Sequence, residues 1–142
     1  MYDVNKLLEM PCYIIDVLPY QVAKGCGGSF FDVENYLLKN YDSYGFKERF
    51  IRIILKLMCY YSVNVSYEEW IDNPTPETVV EIMDKVIHNT QAVMDIVLAD
   101  KNTLIQFEGD CLNISVYNPD NDLCELLKQL AWSEGLFFRQ SN

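Results

Sequence analysis

Between Ala92 and Val116 the chain passes three times through apolar alternation: Ala92, Met94, Ile96 and Leu98, then Thr103, Ile105 and Phe107, then Leu112, Ile114 and Val116. The segments are separated only by Asp100-Lys101-Asn102 and Glu108-Gly109-Asp110. Such links are too short for a helical crossover, so the three strands can pair only as an antiparallel meander. A period of two gives the sheet one apolar face, which needs a layer over it.

Helices can supply that layer. Phe46, Phe50, Ile53, Ile54 and Leu57 fall at i, i+4, i+7, i+8 and i+11, the stripe of an amphipathic helix. Ile51, Leu55 and Met58 make its other side apolar too, leaving mainly Glu48, Arg52 and Lys56 polar. Such a helix is central or has a second surface to cover. Thr75 before Pro76 reads as an N-cap with proline at the first helical position, ahead of the stripe Val79, Ile82, Met83, Val86 and Ile87. Asn118-Pro119 repeats that signal before Leu123, Leu126, Leu127 and Leu130, and Gly135 is placed to end the helix.

The remaining elements are read in the same way. A short helix is expected within 1–10, a strand over 12–18, and a helix from Phe30 to Asn40 with Ser29 and Asp32 as a capping box. Tyr61, Val63, Val65 and Tyr67 alternate with Ser62, Asn64 and Ser66 as a half-buried strand, and Leu136-Phe137-Phe138 reads as a closing strand. The expected fold is α+β, with an antiparallel four- to six-stranded sheet and helices mainly on one face. Nothing divides residues 1–142, so one domain is expected, and a chain of that length buries roughly 70% of its unfolded surface.

Eleven Lys and Arg against 21 Asp and Glu leave a net charge of −10, which repels phosphate backbones and anionic headgroups. No nucleic-acid or membrane partner is expected; a basic protein partner or a homodimer is. The five cysteines are odd in number and widely spread, neither a disulfide framework nor a zinc pattern. With no basic, cleavable leader in the N-terminal residues and no apolar run long enough to span a bilayer, a cytoplasmic location is expected.

No residue pattern for catalysis, cofactor binding or metal binding emerges. His88 is the one histidine, at an expected helix C-terminus where an imidazolium complements the dipole. Gly25, Gly27, Gly28 and Ser29 open a helix and form a possible pocket rim, but lack phosphate-loop spacing and are followed by Asp32 and Glu34. The acid pairs Glu68-Glu69, Glu108 with Asp110, and Asp120 with Asp122 sit where turns or helix starts account for them. Aromatic residues are plentiful, and Tyr and Trp are enriched at binding hot spots. Phe50, Ile51, Leu55, Met58, Tyr44 and Trp70 are therefore the expected partner surface.

The segments Asp16-Val17-Leu18-Pro19, Lys56-Leu57-Met58-Cys59-Tyr60-Tyr61, Val116-Tyr117-Asn118-Pro119, Leu126-Leu127-Lys128-Gln129-Leu130-Ala131 and Gly135-Leu136-Phe137 resemble a family of small acidic proteins from Gram-positive gut anaerobes to which no activity is assigned. The resemblance implies a bacterial, cytosolic context and carries no catalytic residue. The leading expectation is a non-enzymatic protein-binding module of an immunity, antitoxin or regulatory kind. The alternatives are a small-molecule-binding or enzymatic domain with a pocket between sheet and helices, and a structural subunit of a larger complex.

Overall fold

A computed structural model of the chain describes residues 3–89, 91–109 and 112–141. Among these residues five α-helices and seven strands follow in the order α1 (Val4–Leu7), β1 (Cys12–Asp16), α2 (Phe30–Lys39), α3 (Phe46–Met58), β2 (Asn64–Tyr67), β3 (Glu69–Asp72), α4 (Pro76–Ile87), β4 (Val93–Leu98), β5 (Thr103–Glu108), β6 (Asn113–Tyr117), α5 (Asn121–Ser133) and β7 (Phe137–Gln140). All seven strands join one open antiparallel sheet in the order β3-β2-β4-β5-β6-β1-β7. The class is α+β, as expected, but the sheet has seven strands rather than four to six. The additional one is β3. It reverses on β2 around Glu68 at φ 73°, with Tyr67 opposite Glu69 and Ser66 opposite Trp70. No Gly or Asn announces that turn, so nothing local marks it.

The register explains both faces of the sheet. Ile71, Val65, Ile96, Ile105, Val116 and Tyr13 lie side by side across β3, β2, β4, β5, β6 and β1. This row belongs to the main core with α3, α4 and α5, whose Phe50, Val79 and Leu127 are fully buried. The adjacent row, one residue on in each strand, is Trp70, Ser66, Asp95, Gln106, Ser115, Ile14 and Arg139. It is polar in the middle, where Gln106 Nε2 donates to Asp95 Oδ1 at 2.9 Å. On this second face α1 covers one patch, where Leu7 packs with Val97 and Leu104 beside Val4, Trp70 and Tyr117.

The apolar second side of α3 has its reason in this packing. The helix lies against the sheet through Phe50, whose ring is 6.1 Å from that of Phe107, and is flanked by α4 and α5. Phe50 is 0% exposed and Ile51 7%, so these two proposed partner contacts are core residues; Leu55 and Met58 are half-buried against the same core. Arg52 and Lys56 reach α5's C-cap, donating to Glu134 at 2.7 Å each.

The ends of the elements follow local chemistry. Thr75 caps α4 by accepting from Thr78 N at 3.2 Å, with Pro76 in the first turn. Gly135 at φ 73° lets its own N–H reach Trp132 O and that of Leu136 reach Ala131 O, the paired bonds of a Schellman end. Three expectations are corrected. Ser29 stands at the N-cap of α2 without a side-chain cap bond. Asp120, not Asn118, caps α5, accepting from Leu123 N at 2.8 Å. Asn118 instead takes φ 65° and ties two turns together: its Nδ2 donates to Asn102 O and its carbonyl accepts from Thr103 Oγ1. The strand expected from Tyr61 begins at Asn64, because Tyr60 and Tyr61 still donate backward to Leu57 O. Met1, Tyr2, Asp110 and Cys111 lie outside the described residues.

Candidate functional site

Two features of residues 17–44 stand out once the core is accounted for. The first is a surface. Ten large apolar or aromatic side chains are exposed in the described chain, and five of them, Tyr20, Phe31, Val33, Tyr36 and Tyr44, come from this one stretch. Helix α2 has no fully buried residue, although Leu37 and Leu38 rest against the main core. Phe31 is 75% exposed and Tyr36 55%. The Tyr44 hydroxyl donates to that of Tyr36 at 3.2 Å, a contact that raises the Tyr44 pKa. Of the expected partner surface, Tyr44 is at this site. Trp70 is half-buried on the opposite sheet face beside α1, and Phe50 and Ile51 are internal, so those residues form no common surface.

The second feature is a cleft of about 370 Å³. Ile14, Asp16, Asn113 and Arg139 line it from β1, β6 and β7; Val17, Leu18, Tyr20, Gln21 and Val22 line it from the segment after β1, and Phe30 and Glu34 from α2. By the strand alternation, Ile14, Asp16 and Arg139 belong to the sheet face opposite α3, α4 and α5. Asp16 is 9% exposed and doubly held: Oδ1 accepts from Val17 N at 2.7 Å, Oδ2 from Arg139 Nη2 at 2.8 Å. The Nε–H of Arg139 is buried and meets no acceptor. This pair was not singled out from the sequence, since 123 residues separate its members; a lone charge in each of Ile14-Ile15-Asp16 and Phe137-Phe138-Arg139 was the available signal.

The other residues considered for chemistry are dispersed. Gly25, Gly27, Gly28 and Ser29 line an adjoining concavity formed within residues 21–32, which shares Gln21, Val22 and Phe30 with the cleft. Gly25 and Gly27 have φ of 70° and 84°, with open space where a Cβ would stand. His88 is exposed at the C-cap of α4. Glu68 and Glu69 make the β2–β3 turn, while Glu108 is exposed at the end of β5. The Asp120 carboxyl is held below the ordinary aspartate range by Lys101 at 2.8 Å and by its capping bond. Burial pushes the Cys124 thiol up, helped by Asp120 and Glu125, which makes it a poor nucleophile.

Among the described residues no three His, Cys, Asp or Glu gather as a metal site, and no helix is long and apolar enough to cross a membrane. Comparison of the chain with protein-family models, with curated proteins and with solved structures returns no match.

Proposed function

We propose that this chain is a protein-binding module that works by recognition rather than catalysis, and that residues 20–44 are its recognition segment. The observation carrying the proposal is that five of the ten exposed large apolar side chains of the described residues fall there, three of them (Phe31, Val33 and Tyr36) on α2, a helix with no fully buried residue. Aromatic side chains are effective interface anchors because they bury a large area at low entropy cost. The partner that fits is a basic protein. Asp32, Glu34 and Asp42 belong to the same segment, Lys24 and Lys39 offset them only in part, and the chain as a whole carries −10. Small acidic immunity or antitoxin-type proteins bind basic toxins with this combination, and a regulatory module would use the same chemistry. A cytoplasmic setting belongs to the proposal, in keeping with free thiols at the exposed Cys26 and Cys59.

The double variant Phe31→Ser, Tyr36→Ser tests it. Both side chains are exposed, so the variant is expected to keep the wild-type circular dichroism spectrum. It is also expected to lose a stoichiometric basic partner that the wild type and Trp132→Ser, altered at an exposed position on α5, both retain. Equal capture by all three proteins, or no stoichiometric basic partner for the wild type, would overturn the proposal.

A further inference from the structure

Tyr36 and Tyr44 are tied together by backbone and side chain alike. The Tyr44 hydroxyl donates to that of Tyr36 at 3.2 Å, and the two rings stand 6.0 Å apart at 59°. Asn40 joins their backbones: its own N–H and its Nδ2 both donate to Tyr36 O, at 3.1 and 2.8 Å, while its carbonyl accepts from Tyr44 N at 3.2 Å. The Tyr44 ring also lies 6.3 Å from that of Phe46, a core residue. Both tyrosines nevertheless stay open to solvent, at 55% and 43% exposure. Tyr20 and Tyr60 are more exposed, yet neither has a second tyrosine ring stacked on it or hydrogen-bonded to it among the described residues.

Two phenols held in this way suit one reaction. A phenol that loses an electron also loses its proton to water and becomes a phenoxyl radical, whose unpaired spin lies on the oxygen and on the ring carbons ortho to it. Exposed side chains reorient in picoseconds to nanoseconds, well within the lifetime of such a radical, so two tethered radicals meet before either diffuses to another molecule. One ortho carbon of each ring then forms a carbon–carbon bond, and the hydrogen on each of those carbons moves to its own oxygen and restores both phenols. The pair has lost two hydrogen atoms in all, and one hydrogen peroxide takes them up to become two waters. We propose that Tyr36 and Tyr44 are an oxidative cross-linking site, joined as dityrosine by a haem peroxidase with hydrogen peroxide or by another one-electron oxidant. The bond fixes α2 to the residue just ahead of Gly45 and α3, and it consumes two of the exposed aromatic side chains of residues 20–44. Its effect on protein binding rests on the reading of that segment given above; the bond itself does not.

The test treats the full chain, without any partner, with a haem peroxidase and hydrogen peroxide under conditions that couple free N-acetyltyrosine amide. The monomer is expected to gain the blue fluorescence of dityrosine, to lose the mass of two hydrogen atoms, and to yield one cross-linked peptide containing Tyr36 and Tyr44, in an amount independent of protein concentration. Tyr36→Phe and Tyr44→Phe are each expected to lower the yield in the monomer by about tenfold or more, because the effective concentration of the pair is lost. Tyr20→Phe and Tyr60→Phe are expected to leave it unchanged, and all four variants to keep the wild-type circular dichroism spectrum. Absence of dityrosine from the wild-type monomer would overturn the proposal, as would cross-links found only between chains or an undiminished yield in Tyr36→Phe or Tyr44→Phe. Loss of partner capture by Phe31→Ser, Tyr36→Ser bears on the binding segment alone, so the two readings fail separately.

Discussion

At the scale of single residues, Glu134 shows how the structure uses its few cations. Its side chain is 6% exposed, while Arg52 and Lys56, which donate to it, remain about half-exposed. Burial alone would raise the carboxyl, but the hydrogen bonds from Lys56 and Arg52 outweigh that and hold it below the ordinary value. The contact joins α3 to the end of α5 across 82 residues of sequence. Glu134→Gln is expected to cost about 1–2 kcal/mol, the lower part of the range for bonds to charged groups because the cations can be rehydrated. The pH dependence has a definite sign. A carboxyl whose pKa is depressed on folding contributes stability above its unfolded value, about 4.3 for glutamate, and loses it as pH falls through the folded value. Denaturant titrations at neutral pH and at successively lower pH are therefore expected to show the gap between wild type and Glu134→Gln narrowing in acid. A gap that is constant or widens in acid would refute this account of Glu134.

At the scale of elements, Gly109 and Gly135 test the assembly in different ways. Gly109 is buried where β5 leaves the sheet under the end of α4, and a Cβ there would strike the carbonyl oxygens of Val86 and Asn89. Those are backbone atoms, which cannot swing aside. Gly135 needs its φ of 73° for the end of α5, but an added Cβ meets only Arg49 Nη1 at 3.4 Å. Gly109→Ala is expected to cost about 3 kcal/mol or more by overpacking, against about 1–2 kcal/mol for Gly135→Ala from the left-handed backbone. Equilibrium denaturation of both variants checks the order, and a reversed order would contradict the packing of β5 against α4. These glycines also show what the sequence could convey. Gly135 follows a periodic apolar stripe and was legible as a helix end. Gly109 was legible as a turn, while its close approach to α4 depends on packing that no local pattern encodes. The same limit applies to β3, whose turn has Glu68 where Gly or Asn would be diagnostic, and to the cleft, where Asp16 and Arg139 meet only because the first and last strands are neighbours.

At the scale of the whole molecule, the sheet has two unlike faces and the chain treats them differently. The apolar face is fully used by α3, α4 and α5, which is why the aromatic and apolar surplus of α3 belongs to the core rather than to a partner. The other face is covered by α1 at one patch and approached by the segment after β1 at the Arg139 end. Half of the large apolar side chains that stay exposed among the described residues fall in residues 20–44, in a molecule whose field favours cations. Association driven by that field is faster at low ionic strength, whereas the aromatic contacts set how slowly the complex separates. The most direct measurement is amide hydrogen exchange of the chain alone and in complex with the basic protein it captures. The account predicts new protection across α2 and the loop before it, with the outer side of α5 around Trp132 unchanged. Protection confined to α5, to the β3 edge or to α1, with α2 exchanging as in the free chain, would contradict it.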